Sequence, residues 1–337
     1  MKIKLFTHTD LDGVGCAILL KKIYSKPRID LDIEYCGYDN IDVRVESILN
    51  DNSYKDYSFI FITDISVSKS IAEKIDARKT ESNFALIDHH ATALYLNKYT
   101  WASVKEREFD GVLTCGTELL FNLLCKPLCA PDEINTIRDF VDMVRDYDTW
   151  RWKNLYDGSS YGSNCKKLND LFYIYGRDNF IEWVLKRFEP GFACGEFPAF
   201  SSFDDFALNN LQKEIDRYID QKDREIFELI DSVATSTNII SRPYGVVFAD
   251  RYISELGSEL SKRHPDLHYI MIINIGAGVV SYRTTRDNIH LGHDIAHSFG
   301  GGGHAQAAGS TFYTCDVIEG IIRELNNQRP VPSDPYL

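Results

Sequence analysis

Basic residues are in short supply: 37 Lys and Arg stand against 50 Asp and Glu, a formal charge of −13. Grooves that wrap long nucleic acid neutralise many phosphates with cations, so this balance argues against a non-specific long-strand binder. A small anionic substrate stays open, because bound divalent ions or a few arginines supply a local positive field. Long apolar runs are also missing. The longest, such as Ile270 to Ile275, fall far short of the ~20 residues that cross a bilayer. The opening MKIKLFTHTD carries charge inside its first apolar run and has no small-residue cleavage site. No secretory leader and no membrane association are expected, and the protein should be soluble and cytoplasmic. Paired cysteine motifs are absent as well: the eight cysteines are scattered, with no CxxC, mostly among apolar neighbours. They read as reduced residues of a core. There is no tandem repeat and no low-complexity tract.

The chain has 337 residues, of which 44% are hydrophobic, enough for two buried cores. Over the first ~150 residues, short β-rich runs alternate with helical stretches. Lys2 to Phe6, Leu31 to Cys36, Phe59 to Thr63 and Phe84 to Ile87 read as strands. Gly13 to Tyr24, Val43 to Leu49 and Ser68 to Arg78 read as helices, followed by two more near Thr117 to Leu124 and Asp132 to Arg145. That order predicts an α/β fold with a doubly wound parallel sheet across residues 1–152. Residues 153–235 read as a connector, with a helical run at Asn179 to Arg187 and a long linker helix from Phe206 to about Asp231. Strands at Ile239 to Ser241, Gly245 to Ala249, Tyr269 to Ile275 and Val279 to Arg283, then a helical run from Ile289 to Phe299, predict a second, smaller α/β domain over 236–330.

Chemistry concentrates where strands end. His8-Thr9-Asp10-Leu11-Asp12-Gly13 follows the first strand. An EF-hand reading fails, because the closing Glu position holds Leu19. Asp64 follows the third strand and Asp88-His89-His90 the fourth. Open α/β sheets form their ligand crevice at the carboxyl ends of strands, so three independent clusters of metal-ligating residues converge on one place. The mixed Asp and His set suits Mn²⁺ best, with Mg²⁺, Co²⁺ or Fe²⁺ as alternatives. Five or six ligands exceed what one open metal site needs, so two ions bridged by one carboxylate is the economical arrangement. A fourth cluster, Asp146-Tyr147-Asp148, offers either aspartate to the second ion. The aromatic residues Tyr147, Trp150, Trp152, Tyr161 and Phe172 are stacking candidates for a base, although core packing is the commoner fate of such side chains.

These motifs, in this order along nearly the whole chain, resemble the DHH family of phosphoesterases. The resemblance implies that His8 and Asp10 bind one metal, that Asp12 and His89 bind the other, and that Asp64 bridges them. Asp146 would complete the set, with Asp148 as the alternative. It further implies that His90 faces the scissile phosphate and that Asp88 orients the neighbouring ligands. Gly300-Gly301-Gly302-Gly303-His304 is similar to the GGGH motif of the domain that accompanies this family, and Arg283 corresponds to its strand arginine. Gly301, Gly302, Gly303, His304, Arg283 and Arg286 would then grip substrate phosphate, with backbone N–H groups and the positive end of a following helix assisting. The segment also satisfies GxGxxA, but it follows a helical run instead of a strand, which argues against a dinucleotide fold. A Walker loop is excluded by the missing GK[ST].

The resemblance implies hydrolysis of short oligonucleotides to mononucleotides by a metal-bridging hydroxide, the oligoribonuclease (nanoRNase) activity of the family. The alternatives it leaves open are a phosphatase for 3′-phosphoadenosine 5′-phosphate, a cyclic or linear dinucleotide phosphodiesterase, and a catalytically silent nucleotide-binding protein. The expected partner is a short oligonucleotide or dinucleotide, and homodimerisation stays open.

Overall fold

Alternation along the first strands decides how the chain stacks. In Lys2–Thr7 (β1), Ile3 and Leu5 point to one side and Phe6 to the other. The computed structural model describes residues 1–24, 29–78, 83–129, 131–153, 160–189, 197–234 and 239–327. Contacts divide it into two units, Met1–Leu208 and Asn209–Leu337.

In the first unit β1 leads into Leu11–Ile23 (α1), Asp30–Tyr35 (β2), Ile41–Asn50 (α2), Phe59–Thr63 (β3), Lys69–Asp76 (α3), Phe84–Asp88 (β4) and Ala102–Val104 (β5). The five strands are all parallel, in the order β2-β1-β3-β4-β5. This is a doubly wound sheet, as the alternating pattern predicts. Ile60, Ile62, Phe84 and Leu86 join Phe6 in the cluster beneath α2 and α3. Phe61 and Ile87 join Ile3 and Leu5 in the cluster on the opposite face. There α1 is buried from Leu11 through Leu20, because helices surround it on the side away from the sheet. Those helices are Gly116–Leu120 (α4), continued by a π turn at Phe121–Cys125 into Lys126–Leu128 (α5), then Pro131–Asp148 (α6), Ser160–Tyr175 (α7) and Arg177–Arg187 (α8). The expected connector therefore contains two helices, α7 and α8, whose Leu168, Phe172, Phe180 and Val184 complete this core.

The helix Ser202–Asp223 (α9) carries the chain into the second unit. It stops at Asp223, short of the Asp231 expected from periodicity, and Phe227–Ala234 (β6) is a strand paired antiparallel with Ile239–Phe248 (β7). Ile253–Arg263 (α10), Ile270–Asn274 (β8), Val279–Arg283 (β9), Gly302–Gly303 (β10), Ala307–Thr311 (β11) and Thr314–Asn327 (α11) follow. The six strands form a mixed sheet in the order β10-β11-β9-β8-β7-β6, with β7 and β8 parallel and the other pairs antiparallel. Among the described residues no helix is long and apolar enough to cross a membrane. The described cysteines are all free: five are buried, Cys129 is half-buried and Cys315 is exposed, while Cys194 lies outside the described residues.

Candidate metal centre

The order 2-1-3-4-5 reverses direction between β1 and β3, and that switch point is where an open α/β sheet leaves a crevice. Two buried threonines fix the strand ends beside it. Thr63 Oγ1 donates to Thr7 Oγ1 at 2.9 Å, and Thr7 Oγ1 donates to Gly13 O at 2.9 Å, tying β3 to β1 and β1 to the start of α1.

Asp10 caps α1 by accepting from Gly13 N–H at 3.1 Å. His8 Nδ1 lies 2.8 Å from Asp10 Oδ2 and 3.9 Å from Asp64 Oδ2. Asp12 faces inward, and its two oxygens accept from Gly116 N–H at 2.6 Å and Thr117 N–H at 2.8 Å, at the start of α4. Gly116 is obligatory there. A Cβ on it would fall 2.7 Å from Asp64 Cβ and 3.1 Å from Asp12 Oδ2. Asp64 itself adopts a left-handed backbone, φ 56°, which is unusual for a non-glycine residue and is a form of strain that clusters at functional sites.

His89 Nε2 closes the cluster, 3.2 Å from Asp64 Oδ1 and 3.7 Å from both Asp12 Oδ2 and Asp148 Oδ2. Two triads result: His8, Asp10 and Asp64, and Asp12, His89 and Asp148, each with ligand atoms within 4.8 Å of one another. Asp64 belongs to the first triad and touches the second through His89. The aspartate of the fourth cluster that joins them is Asp148. Asp146, expected from the resemblance, is buried elsewhere, 3.0 Å from Arg145 Nε and 3.5 Å from Arg151 Nη1. Residues two apart on a helix point in different directions, so only one of the pair can face the cluster.

A cation fits this donor set. Asp64 Oδ2 and His89 Nε2 are buried without a hydrogen-bond partner, a costly state for polar atoms that bind nothing. Burial, then the charges of Asp12 and Asp10, hold the Asp64 carboxyl well above the usual range. Burial, then the same two aspartates, raise Asp148 as well. Clustered carboxylates of this kind are what a divalent ion neutralises.

Asp88 is fully buried and forms a further group of close ligand atoms with Asp64, His89 and His90, but its oxygens are already engaged. Its Oδ1 accepts from His89 N–H at 2.8 Å and lies 2.7 Å from His90 Nδ1, while Ser66 Oγ donates to Oδ2. Burial is the largest influence on Asp88 and opposes its ionisation, but the hydrogen bond and charge of His90, with the Ser66 hydrogen bond and the charge of His89, together outweigh it and keep the carboxyl below its ordinary value. The same hydrogen bond raises His90. Sequence reasoning missed Tyr38, in the turn that follows β2. Its ring centroid lies 5.6 Å from that of His8 and 6.0 Å from that of His90.

The remaining expected residues lie in the second unit. Arg283 sits in β9 between β8 and β11, its stem over Gly257 of α10, where a Cβ would meet Arg283 Cγ at 2.4 Å. Its Nη1 donates to Tyr282 O at 2.9 Å. Arg286 is committed to a brace: Nε donates to Leu267 O at 3.1 Å and Nη2 to Pro265 O at 2.6 Å. The glycine run is a packed hairpin followed by strand β11, not by the expected helix. Gly301 N–H donates to Ala296 O and His304 N–H to Ala307 O, both at 2.8 Å, so these two donors are spent on backbone. The His304 side chain is exposed. Of the aromatic candidates, Tyr147 and Trp152 stack on each other at 5.9 Å, Phe172 is core, and Trp150 stands 54% exposed two residues beyond Asp148.

A family model described as the DHH family, N-terminal domain, matches residues 2–144. The chain is 34% identical over 339 residues to Oligoribonuclease NrnB of Bacillus subtilis (strain 168), spanning 98% of this chain and 78% of that protein. It is 23% identical over 366 residues to a 3′,5′-cyclic-nucleotide phosphodiesterase of Helicobacter pylori, spanning 97% of this chain and 99% of that one. Among solved structures, exonuclease RecJ bound to manganese superposes with a TM-score of 0.53 at 13% identity, over 98% of this chain and 91% of RecJ, a likeness of fold.

Proposed function

This chain belongs to the DHH family of phosphoesterases, and from that premise we propose that it hydrolyses short oligonucleotides to mononucleotides with two divalent ions, Mn²⁺ first among them. The observation that carries the reading is Asp64, shared between a His8–Asp10 pair and the Asp12–His89–Asp148 group. His8, Asp10 and Asp64, with Asp12, His89 and Asp148, would hold the divalent ions, which would supply activation of water and offset the negative charge that gathers on the phosphoryl oxygens.

The protein's own residues do the rest. Asp12 is pinned by the N–H groups of Gly116 and Thr117, so its position is set before any ion arrives. Asp88 holds the His90 ring through Nδ1, leaving Nε2 as the atom to meet a phosphoryl oxygen. Arg283 and His304 are proposed to grip phosphate from the second unit. Arg286, engaged with three backbone carbonyls, contributes by holding its loop. Substrate length follows from charge. Each added phosphate approaches a chain whose net charge is −13, which favours ligands of about two to five nucleotides over long strands.

A panel of end-labelled RNAs from two to thirty nucleotides tests this, with a 3′,5′-cyclic nucleotide, cyclic and linear dinucleotides and an adenosine bisphosphate beside them. Chelator-sensitive release of mononucleotides, fastest from the shortest RNAs, is the expected result. Preference for a cyclic nucleotide or the bisphosphate would move the assignment within the family. Equal efficiency on a 5-mer and a 30-mer at low salt would contradict the length argument.

A further inference from the structure

We infer that Tyr38 is a substrate-contacting residue whose hydroxyl donates a hydrogen bond to a non-bridging oxygen of the phosphate held at the metal centre. The inference deepens the phosphodiesterase reading above and rests on it.

Tyr38 is in place before substrate. Its loop leaves β2 and is closed on itself: Gly37 N–H donates to Asn40 Oδ1 at 3.1 Å, while Asn40 and Ile41 N–H donate back to Gly37 O at 3.2 and 3.0 Å. Cys36 N–H joins the same segment to Thr7 O of β1 at 2.8 Å. From this turn the Tyr38 ring stands tilted at 52° to His8 and edge-on at 89° to His90, so it spans the ligand of one triad and the residue that faces phosphate. A large aromatic side chain that served only to pack would be buried; this one is 59% exposed. Among the described residues its hydroxyl has no hydrogen-bond partner. A donor without an acceptor, over a site built to collect cations, is matched by the anionic oxygen those cations would attract. The ring's neighbours are two of the site's histidines, His8 and His90, which leaves stacking on a base the less favoured use.

Tyr38→Phe removes the donor and keeps the ring. A hydrogen bond to a charged oxygen is worth roughly 10- to 100-fold. In the Mn²⁺-loaded protein, affinity for inorganic phosphate should fall by about 10-fold in Tyr38→Phe, with Mn²⁺ affinity and melting temperature unchanged by calorimetry. On a labelled dinucleotide, kcat/KM should fall roughly 10- to 100-fold. Replacing a non-bridging oxygen of the scissile phosphate by sulfur should narrow the gap between the two proteins. Unchanged phosphate affinity and kcat/KM in Tyr38→Phe would overturn the assignment. A wild type that turns over none of the nucleotides, yet loses phosphate on Tyr38→Phe, would retain the contact and sink the substrate reading instead.

Discussion

Replacing Asp64 with Asn should push stability and metal binding in opposite directions. In the metal-free protein the ligand atoms of the His8–Asp10–Asp64 triad lie within 4.8 Å of one another. Two like charges at that separation repel by about 3.5 kcal/mol at an effective dielectric near 20. Partial protonation relieves some of this, since burial and then Asp12 and Asp10 already hold the Asp64 carboxyl high. A net gain of about 1–2 kcal/mol is expected from the uncharged amide, a rise of roughly 2–8 °C for a unit of this size. Asn also tolerates the left-handed backbone at φ 56° better than other residues with a side chain, so the substitution adds no new strain. With Mn²⁺ at a hundred times its dissociation constant, the wild type gains about 2.7 kcal/mol, whereas Asp64→Asn should gain almost nothing. Differential scanning calorimetry in chelator and in Mn²⁺ reads both arms. A variant that melts lower than wild type in chelator, yet is still stabilised by Mn²⁺, would refute the reasoning.

Three further outcomes follow from named contacts. Gly116→Ala should force α4 away from Asp12 and Asp64, because the new Cβ would sit 2.7 Å from Asp64 Cβ; isothermal titration should show Mn²⁺ affinity lowered at least ~10-fold with the fold retained. Asp148→Asn should remove one Mn²⁺ equivalent without destabilising the metal-free protein. Asp146→Asn should keep the stoichiometry and lose about 1–2 kcal/mol through Arg145 and Arg151, which denaturant titration would separate. Asp204, 1% exposed, accepts from Trp183 Nε1 at 3.0 Å, Arg187 Nη2 at 3.3 Å and Ser201 N–H at 2.6 Å. Burial opposes its ionisation, but hydrogen bonds from Tyr175, Ser201 and Trp183 outweigh it and lower the carboxyl. A lowered carboxyl stabilises fully above its unfolded value, near pH 4, and that contribution disappears as pH falls through the folded value. Asp204→Asn should therefore cost about 2–3 kcal/mol at pH 7, and the gap to wild type should close as pH falls through the lowered folded value in acid titrations followed by circular dichroism.

The first unit was legible because its signals are local and repeated. Each of β1 to β4 is a short β-rich run, and the clusters around His8, Asp64 and His89 sit at the carboxyl ends of such runs, where parallel connectivity brings distant positions together. The second unit was read less well. Phe227 and Ile230 of β6 extend the spacing of Leu211, Ile215 and Ile219, so periodicity carries a helix past Asp223 until pairing with β7 overrides it. Helix α7 was hidden by its tyrosines, Gly162 and polar residues; it is held by tertiary burial of Cys165, Leu168 and Leu171 more than by propensity. Strand β5 has three residues, too few for any periodicity. Within the site, Asp148 was separable from Asp146 only by the orientation of α6. The supports of the ligands, Thr7, Thr63, Gly116 and Thr117, are ordinary residue types whose importance lies in partners up to 105 positions away.

Anomalous diffraction at the manganese edge, from crystals grown with Mn²⁺, tests the central claim most directly. Two peaks about 3.5–4 Å apart are predicted, one held by His8, Asp10 and Asp64, the other by Asp12, Asp64, His89 and Asp148. A single peak, or a second one held by Asp146 with Asp148 turned away, would contradict the account.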